Sequence, residues 1–510
     1  MKKAIVFLLL TAIAVSNICA QNYIDALRYS QSFYEGTARS SAMGNALTAV
    51  GGDFGAISVN PAASGVYRHG EIMITPSLTN TFESAFYSQL TSQENRNKFG
   101  ISSFGYVGNI ISNSRQNGLV RLNYSIGANK TNNFTGRSTI AGDGIYSSWL
   151  AALAVGAGGI DAREMDMLNE KDNYPFLHSG ASWKAILAWN TLLIDTLGGP
   201  ESYIAATENL DGYDIYQPAP LNQHLYRQSA GNITEYHINF GGNISNKLFF
   251  GATFTYQSIW YEYYERYIES SVNPQDFQTG FKSLTHTYNQ SASGFGFNFK
   301  AGVIFLPVSF LRLGASFSTP TLTTLNEEWH NQMDGSFIDK SFNASSPIGT
   351  YRYKLRSPMK VNLGAAITIP GIGLISIDYE NINYNKVRMI DIDQNAEFNA
   401  DNAIIKRNYK SANNLRVGAE IIITDNFSLR GGYNYYDSPY KYSTHIKHIA
   451  SGGFGYKSSN GFFMDIALQL QTNKNGDEFH LYDKYTERNP PLVQTESNYW
   501  RCLMTLGMKF

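Results

Sequence analysis

The chain ends in RCLMTLGMKF (501–510). Cys502, Met504, Leu506, Met508 and Phe510 recur at every second position, and Arg501, Thr505, Gly507 and Lys509 fall between them. Successive side chains of a β-strand point to opposite faces, so this stretch is apolar on one face and mixed on the other. Such a strand, ending on an aromatic, suits the closing strand of a membrane β-barrel, whose outer face meets lipid. The last strand of a soluble sandwich would alternate in the same way. The choice rests on whether the alternation recurs and whether the chain is exported.

Export is legible at the other end. Lys2 and Lys3 precede an apolar run from Ala4 to about Val15, and Ile18-Cys19-Ala20 offers a cleavage site before Gln21. Residues 1–20 therefore read as a signal peptide. The run is too short for a transmembrane anchor. Ile18 stands where a lipoprotein signal usually has a small residue, so Cys19 is not read as a lipid attachment site. After cleavage only Cys502 remains, which excludes an intramolecular disulfide. In a strand pattern it reads as a small apolar side chain facing lipid.

Composition agrees. A formal net charge of -1 leaves no basic stripe for nucleic acid. The 34 Tyr, 30 Phe and 45 Gly in 510 residues suit interfacial aromatic girdles and crowded strands. No Pro/Ser-rich linker divides the chain into soluble domains.

From about Gly70 onward the sequence offers about fourteen strands with period-2 alternation. Examples are LFFGATFTY (248–256), MKVNLGAAIT (359–368), LISIDYENI (374–382) and NLRVGAEIII (414–423). Short turns (244–247, 306–309, 370–373, 424–426, 458–461) alternate with long polar loops near 131–234, 268–290, 325–352, 386–412 and 472–497. That asymmetry is characteristic of an outer-membrane barrel with short periplasmic turns. The expected fold is thus an all-β transmembrane antiparallel barrel over 70–510, with 131–234 a long extracellular insertion.

The alternation also assigns faces. Val361, Leu363, Ile367, Ile375, Ile377, Leu415 and Val417 should meet lipid. The inward set then holds Arg121, Lys300, Arg312, Arg416 and Arg430 against Asp378, Glu380, Glu420 and Asp465. Buried charges need partners, so a structural ion-pair lattice is favoured over a ring for substrate.

Two stretches break the pattern. GTARSSAMGNALTAVGGDFGAISVNPAASGVY (36–67) is rich in Gly, Ala and Ser and does not alternate. With the residues on either side of it (21–69 in all) it reads as a compact plug filling a lumen that would otherwise be wide. Met43, Leu47, Val50, Phe54, Ile57 and Val59 argue against a disordered extension. Within the long insertion, 147–161 and 178–197 look helical. Trp183, Ile186, Trp189 and Leu193 share a side and could be either packed core or a landing groove for a hydrophobic ligand.

The block containing Asn60-Pro61-Ala62 ahead of a barrel resembles the FadL/OmpP1/TodX family of outer-membrane transporters for hydrophobic compounds. SFSTPTL (316–322), YRYKLRSPMKVNLGAAI (351–367) and LRVGAEIIITDNFSLRGGYNYYDSPY (415–440) are similar to that family's later strands, and the Gln21 start with abundant Asn and Tyr looks like a Bacteroidetes member. The resemblance implies fourteen strands, a hatch that includes Asn60, Pro61 and Ala62, and downhill passage without nucleotide. It also implies exit through an opening in the barrel wall.

Enzyme motifs are absent: there is no GxSxG, HExxH, CxxC or P-loop. His445 and His448 are three apart on a strand and face opposite ways, so they make no haem pair. No catalytic residue, metal or cofactor is assigned. The leading expectation is passive uptake of fatty acid-like or aromatic compounds across the outer membrane. The alternative is a scaffold or shuttle partner of a protein secretion system; a polar-solute porin is disfavoured by the plug. Expected partners are a hydrophobic ligand, outer-membrane lipid and, through the strand ending at Phe510, the barrel-assembly machinery.

Overall fold

The computed structural model describes residues 23–113, 117–167, 176, 180–392, 398–442, 446–472, 477–482 and 490–510. The signal-peptide residues 1–20 and His445 lie outside these. Fourteen antiparallel strands close into a barrel. The first half comprises β1 (Glu71–Tyr87), β2 (Leu90–Ser112), β3 (Leu119–Asn133, continued by Gly136–Ile145), β4 (Leu221–Ile244), β5 (Leu248–Ser271), β6 (Phe281–Val308) and β7 (Leu311–Ser318 with Leu322–Phe337). The second half comprises β8 (Gly349–Arg356 with Lys360–Ile369), β9 (Gly373–Asn383 with Arg388–Asp391), β10 (Ser411–Ile422), β11 (Phe427–Tyr436), β12 (Lys447–Lys457), β13 (Phe462–Thr472) and β14 (Leu492–Lys509). Each strand centre read from the sequence lies on one of these strands.

Closure is made by the terminal strand. β1 pairs with β2 on one side and with β14 on the other, Glu71 opposite Lys509 and Phe86 opposite Gln494. Gly70 and Phe510 exchange two backbone hydrogen bonds of 3.0 Å. The facing follows the alternation: Leu363, Ile367, Ile375, Ile377, Leu415 and Val417 are exposed to the outside, whereas Asn362, Ser376, Asp378, Glu380 and Arg416 are buried within. An apolar outer band on a closed β-barrel places the chain in the outer membrane of a Gram-negative envelope.

The strands run further than the sequence suggests, and the loops near 131–234, 268–290 and 325–352 shrink accordingly. β5 shows why. Its outward residues Phe250, Phe254, Tyr256 and Trp260 are apolar, with Thr253, Thr255 and Gln257 buried inside. Beyond Trp260 the faces exchange character: Glu262 and Arg266 point out, while Ile259, Tyr261 and Tyr267 are buried. The strand leaves lipid for water at that point, so its apolar face must turn inward. A scan for strands that are apolar outside stops there.

Residues 23–67 lie inside the ring of strands. They form α1 (Tyr23–Ser30), α2 (Ala38–Ala42), α3 (Phe54–Ile57) and a 3-10 turn at Pro61–Val66. Above them, α4 (Trp149–Ala157) and α5 (Trp183–Asn190) build a cap, shorter than the helical stretches expected at 147–161 and 178–197. The two helices pack into one core cluster with β3, β4, β5, β6 and β7. No helix of the described residues is long and apolar enough to cross a membrane, which says nothing of a barrel.

Candidate functional site

The inner segment is seated on glycines. A Cβ on Gly251 would collide with the Pro61 carbonyl, one on Gly302 with the Asn60 side chain, and one on Gly314 with the Thr48 carbonyl. Gly418 and Gly432 stand likewise against Met43 and Gly44, Gly241 against Ser64, and Gly105 and Gly127 against the Phe54 ring. Several of these are cross-strand neighbours: Gly105 with Gly127, Gly241 with Gly251, Gly251 with Gly302, and Gly418 with Gly432. The wall therefore carries an inward belt without side chains, and the segment's backbone occupies the space they would have filled. On β9, Ser376 takes the same part and donates to the Ala46 carbonyl at 2.5 Å.

Asn60-Pro61-Ala62 fixes the segment to that belt. Asn60 is extended and caps the 3-10 turn, its Oδ1 accepting from the Ala62 N–H at 3.0 Å, with Pro61 in the first turn. Its Nδ2 donates to the carbonyls of Thr48 (2.7 Å) and Val303 (3.2 Å), the second on β6. Ala62 is buried against Phe249 and Ile304.

The lumen charges also hold the segment. Asp378 accepts from the Thr48 N–H (2.8 Å) and hydroxyl (2.6 Å). Arg416 pairs with Glu380 at 2.6 Å and lies 5.3 Å from the Tyr34 ring centre. Glu420 bridges Arg430 (2.6 Å) and the segment's Arg39 (2.9 Å), and Arg312 donates to the Val50 carbonyl at 2.7 Å. Among the described residues no group of three His, Cys, Asp or Glu side chains could hold a metal.

One side of the wall is not closed by a ladder. β2 pairs with β3 only from Ser112 down to Ser103, opposite Asn129. From Ser102 up to Leu90 it pairs with β1 alone, and the second piece of β3 pairs with β4 alone. Phe99 and Ile101 on this free stretch face outward and are exposed, so part of the gap lies in the apolar band. Unpaired backbone is costly there. The inner segment supplies the missing partner: Phe33 N–H donates to the Thr131 carbonyl (2.6 Å) and Glu35 N–H to the Lys130 carbonyl (3.1 Å). Higher up, Arg96 donates to the carbonyls of Ser229 (2.6 Å) and Gly136 (3.2 Å).

Glu35 joins the seam's edges. It is buried, accepts from the Ser102 hydroxyl of β2 (2.7 Å), and pairs with Arg501 of β14 (2.9 Å) and Lys130 of β3 (3.6 Å). Burial alone would raise its carboxyl; Arg501, then Lys130 and the Ser102 hydroxyl outweigh that and hold it below the ordinary range. Behind the seam, Phe134 stacks edge-on against Tyr29 of α1 and Tyr261 of β5, with ring centres 6.0 and 5.5 Å away. The strand there needs glycine: Gly231 of β4 has φ +129 and no room for a Cβ against the Trp260 carbonyl. Sequence reasoning missed Glu35, Ser102, Lys130 and Arg501 as a unit. The available signal was that Glu35 is the one acid between Asp25 and Asp53 in a stretch expected to be buried.

The groove expected on α5 is closed. Trp183, Ile186 and Leu193 are buried in the cap core, and Trp189 is half-buried against Tyr203 at 6.1 Å. Their shared side faces other cap residues, so core packing accounts for it.

The molecule is thus a fourteen-stranded outer-membrane barrel with an internal segment and a wall seam. In fold it is similar to a FadL homologue of Pseudomonas aeruginosa (TM-score 0.52, 12% identity, 94% of this chain and 99% of that one). It is likewise similar to the toluene transporter TodX of P. putida (TM-score 0.50, 11% identity, 94% and 99%). No family model and no curated protein matches the sequence.

Proposed function

We propose that the protein is a passive outer-membrane channel for hydrophobic small molecules, in which residues 23–67 act as the hatch and the β2–β3 seam as the side exit. The observation that carries this is the ladder ending at Ser103 and Asn129, with the open edge covered by the chain's own residues 31–35. A straight path down the lumen is obstructed by the segment seated on the glycine belt. The seam leads instead from the Phe134–Tyr29–Tyr261 aromatic cluster toward lipid, where an apolar solute can leave without crossing a polar layer. Burying an apolar side chain-sized group is worth about 1.5–3 kcal/mol, enough for transient holding and for release downhill. The FadL homologue and toluene transporter that share the fold support this substrate class. Asn60, Pro61 and Ala62 serve as the fixed anchor of the hatch, and capture on α5 would require the cap to open. The strand ending at Phe510 would present the assembly machinery with its recognition edge before closure.

The test is a disulfide across the seam. In a Cys502→Ala background, Phe33→Cys with Thr131→Cys should block uptake of a labelled long-chain fatty acid or toluene when oxidised and restore it on reduction. Uptake unaffected by oxidation would overturn the side exit. A stoichiometric protein partner without any uptake would favour the secretion reading.

A further inference from the structure

The outer wall carries a basic stripe that the channel does not use. In YRYKLR (351–356), Arg352, Lys354 and Arg356 alternate on the outward face of β8, while Tyr353 and Leu355 are buried inside. Outward neighbours on one strand stand roughly 6.8 Å apart. The second piece of β9 adds Arg388, directly opposite Arg356. Its Nη1 donates to the carbonyls of Asn385 (3.1 Å) and Val387 (2.8 Å), which pins the guanidinium to the wall. Like charges directly opposite repel, and among the described residues none of these four makes an ion pair.

Their height is set by the strand below. Ile369, Ile367, Leu363 and Met359 are exposed outward. The ten residue steps from Ile369 to Met359 cover about 26 Å along the membrane normal at a tilt of about 40°, the height of an apolar band of about 25 Å. Ile369 adjoins a short periplasmic turn, so Arg356 emerges at the opposite, external rim. It lies across from Leu322, which is exposed and itself opposite Phe297. The neighbouring wall at this level carries Glu262 and Glu328 instead, so the basic character is local.

We propose that Arg352, Lys354, Arg356 and Arg388 bind the phosphorylated headgroup of an outer-leaflet glycolipid, whose acyl chains lie along the apolar wall beneath. Guanidinium forks match phosphate oxygens in pairs, and Lys354 adds a point charge between two of them. An anion between Arg356 and Arg388 would relieve their repulsion. The site is independent of the transport reading.

The purified full-length barrel in non-ionic detergent would be titrated with lipid A, with enzymatically dephosphorylated lipid A, and with inorganic phosphate. Lipid A should bind at least about tenfold more tightly than its dephosphorylated form. The Arg352→Gln/Lys354→Gln/Arg356→Gln variant should lose that preference, and Arg266→Gln/Lys282→Gln, which removes other bases of the extracellular wall, should keep it. Equal binding of the two lipids by the unaltered protein would overturn the proposal, whether or not the triple variant folds. So would a preference retained in that variant, or displacement of lipid A by inorganic phosphate at matched concentration.

Discussion

Gly431 and Gly432 are neighbours on β11 and point opposite ways. A Cβ on Gly431 meets nothing within 4 Å, whereas one on Gly432 meets the backbone of Met43 and Gly44. Gly432→Ala should therefore destabilise the folded barrel by about 1–3 kcal/mol, read from the heat at which its gel migration shifts, while Gly431→Ala should not. Equal effects would mean that the belt is a property of the strand and not of the seated segment. Glu35 makes a second residue-scale case. Its carboxyl is held below the ordinary glutamate value of about 4.3, so its contribution is present above that pH and is lost as pH falls through the lower folded value. Acid should loosen the seam, raising bilayer conductance as the pH falls below the ordinary glutamate range. Glu35→Gln should loosen it at neutral pH, because removing one partner of a buried pair costs about 3–5 kcal/mol. A Glu35→Gln barrel as closed at pH 7 as the unaltered one would remove Glu35 from the latch.

At the scale of elements, what was legible followed the solvent. All fourteen strands could be read because lipid enforces an apolar outer face, and the terminal strand announced the closure that Gly70 and Phe510 complete. The extensions of β4 to β7 could not, because the apolar face changes sides at residues such as Trp260. Lumen charges were legible as a set but not as pairs. Asp378 stands directly opposite Arg416, yet Arg416 pairs with Glu380 because Thr48 of the inner segment takes Asp378. For α5, helical spacing showed which side is apolar but not what covers it. Trp183→Ser should leave a cavity costing about 3–5 kcal/mol. That loss falls on the cap, so limited proteolysis should cut the cap faster while the barrel still shows heat-modifiable migration. Loss of the whole barrel would show that cap and wall fold as one unit.

For the whole molecule, the belt and the seam divide the labour. Residues 38–67 are locked to the wall by the glycine belt, by Asn60 and by Asp378, whereas 31–35 cover an edge that could pair or part. Removing 21–67 should leave a barrel that assembles and conducts ions, since among the described residues it is this segment that is seated against the inward glycine belt; a deletion barrel as closed as the intact protein would contradict the hatch. The central claim, that the seam moves while the belt stays, is tested most directly by pulsed electron-spin distance measurement between two pairs of labels in a Cys502→Ala background. One pair, on Gln31→Cys and Asn133→Cys, spans the seam; the other, on Ala56→Cys and the outward Ile375→Cys of β9, relates the seated segment to the wall away from the seam. Adding a long-chain fatty acid should lengthen the first distance and leave the second unchanged. A first distance that stays fixed during measured uptake, or a second that lengthens with it, would contradict the account.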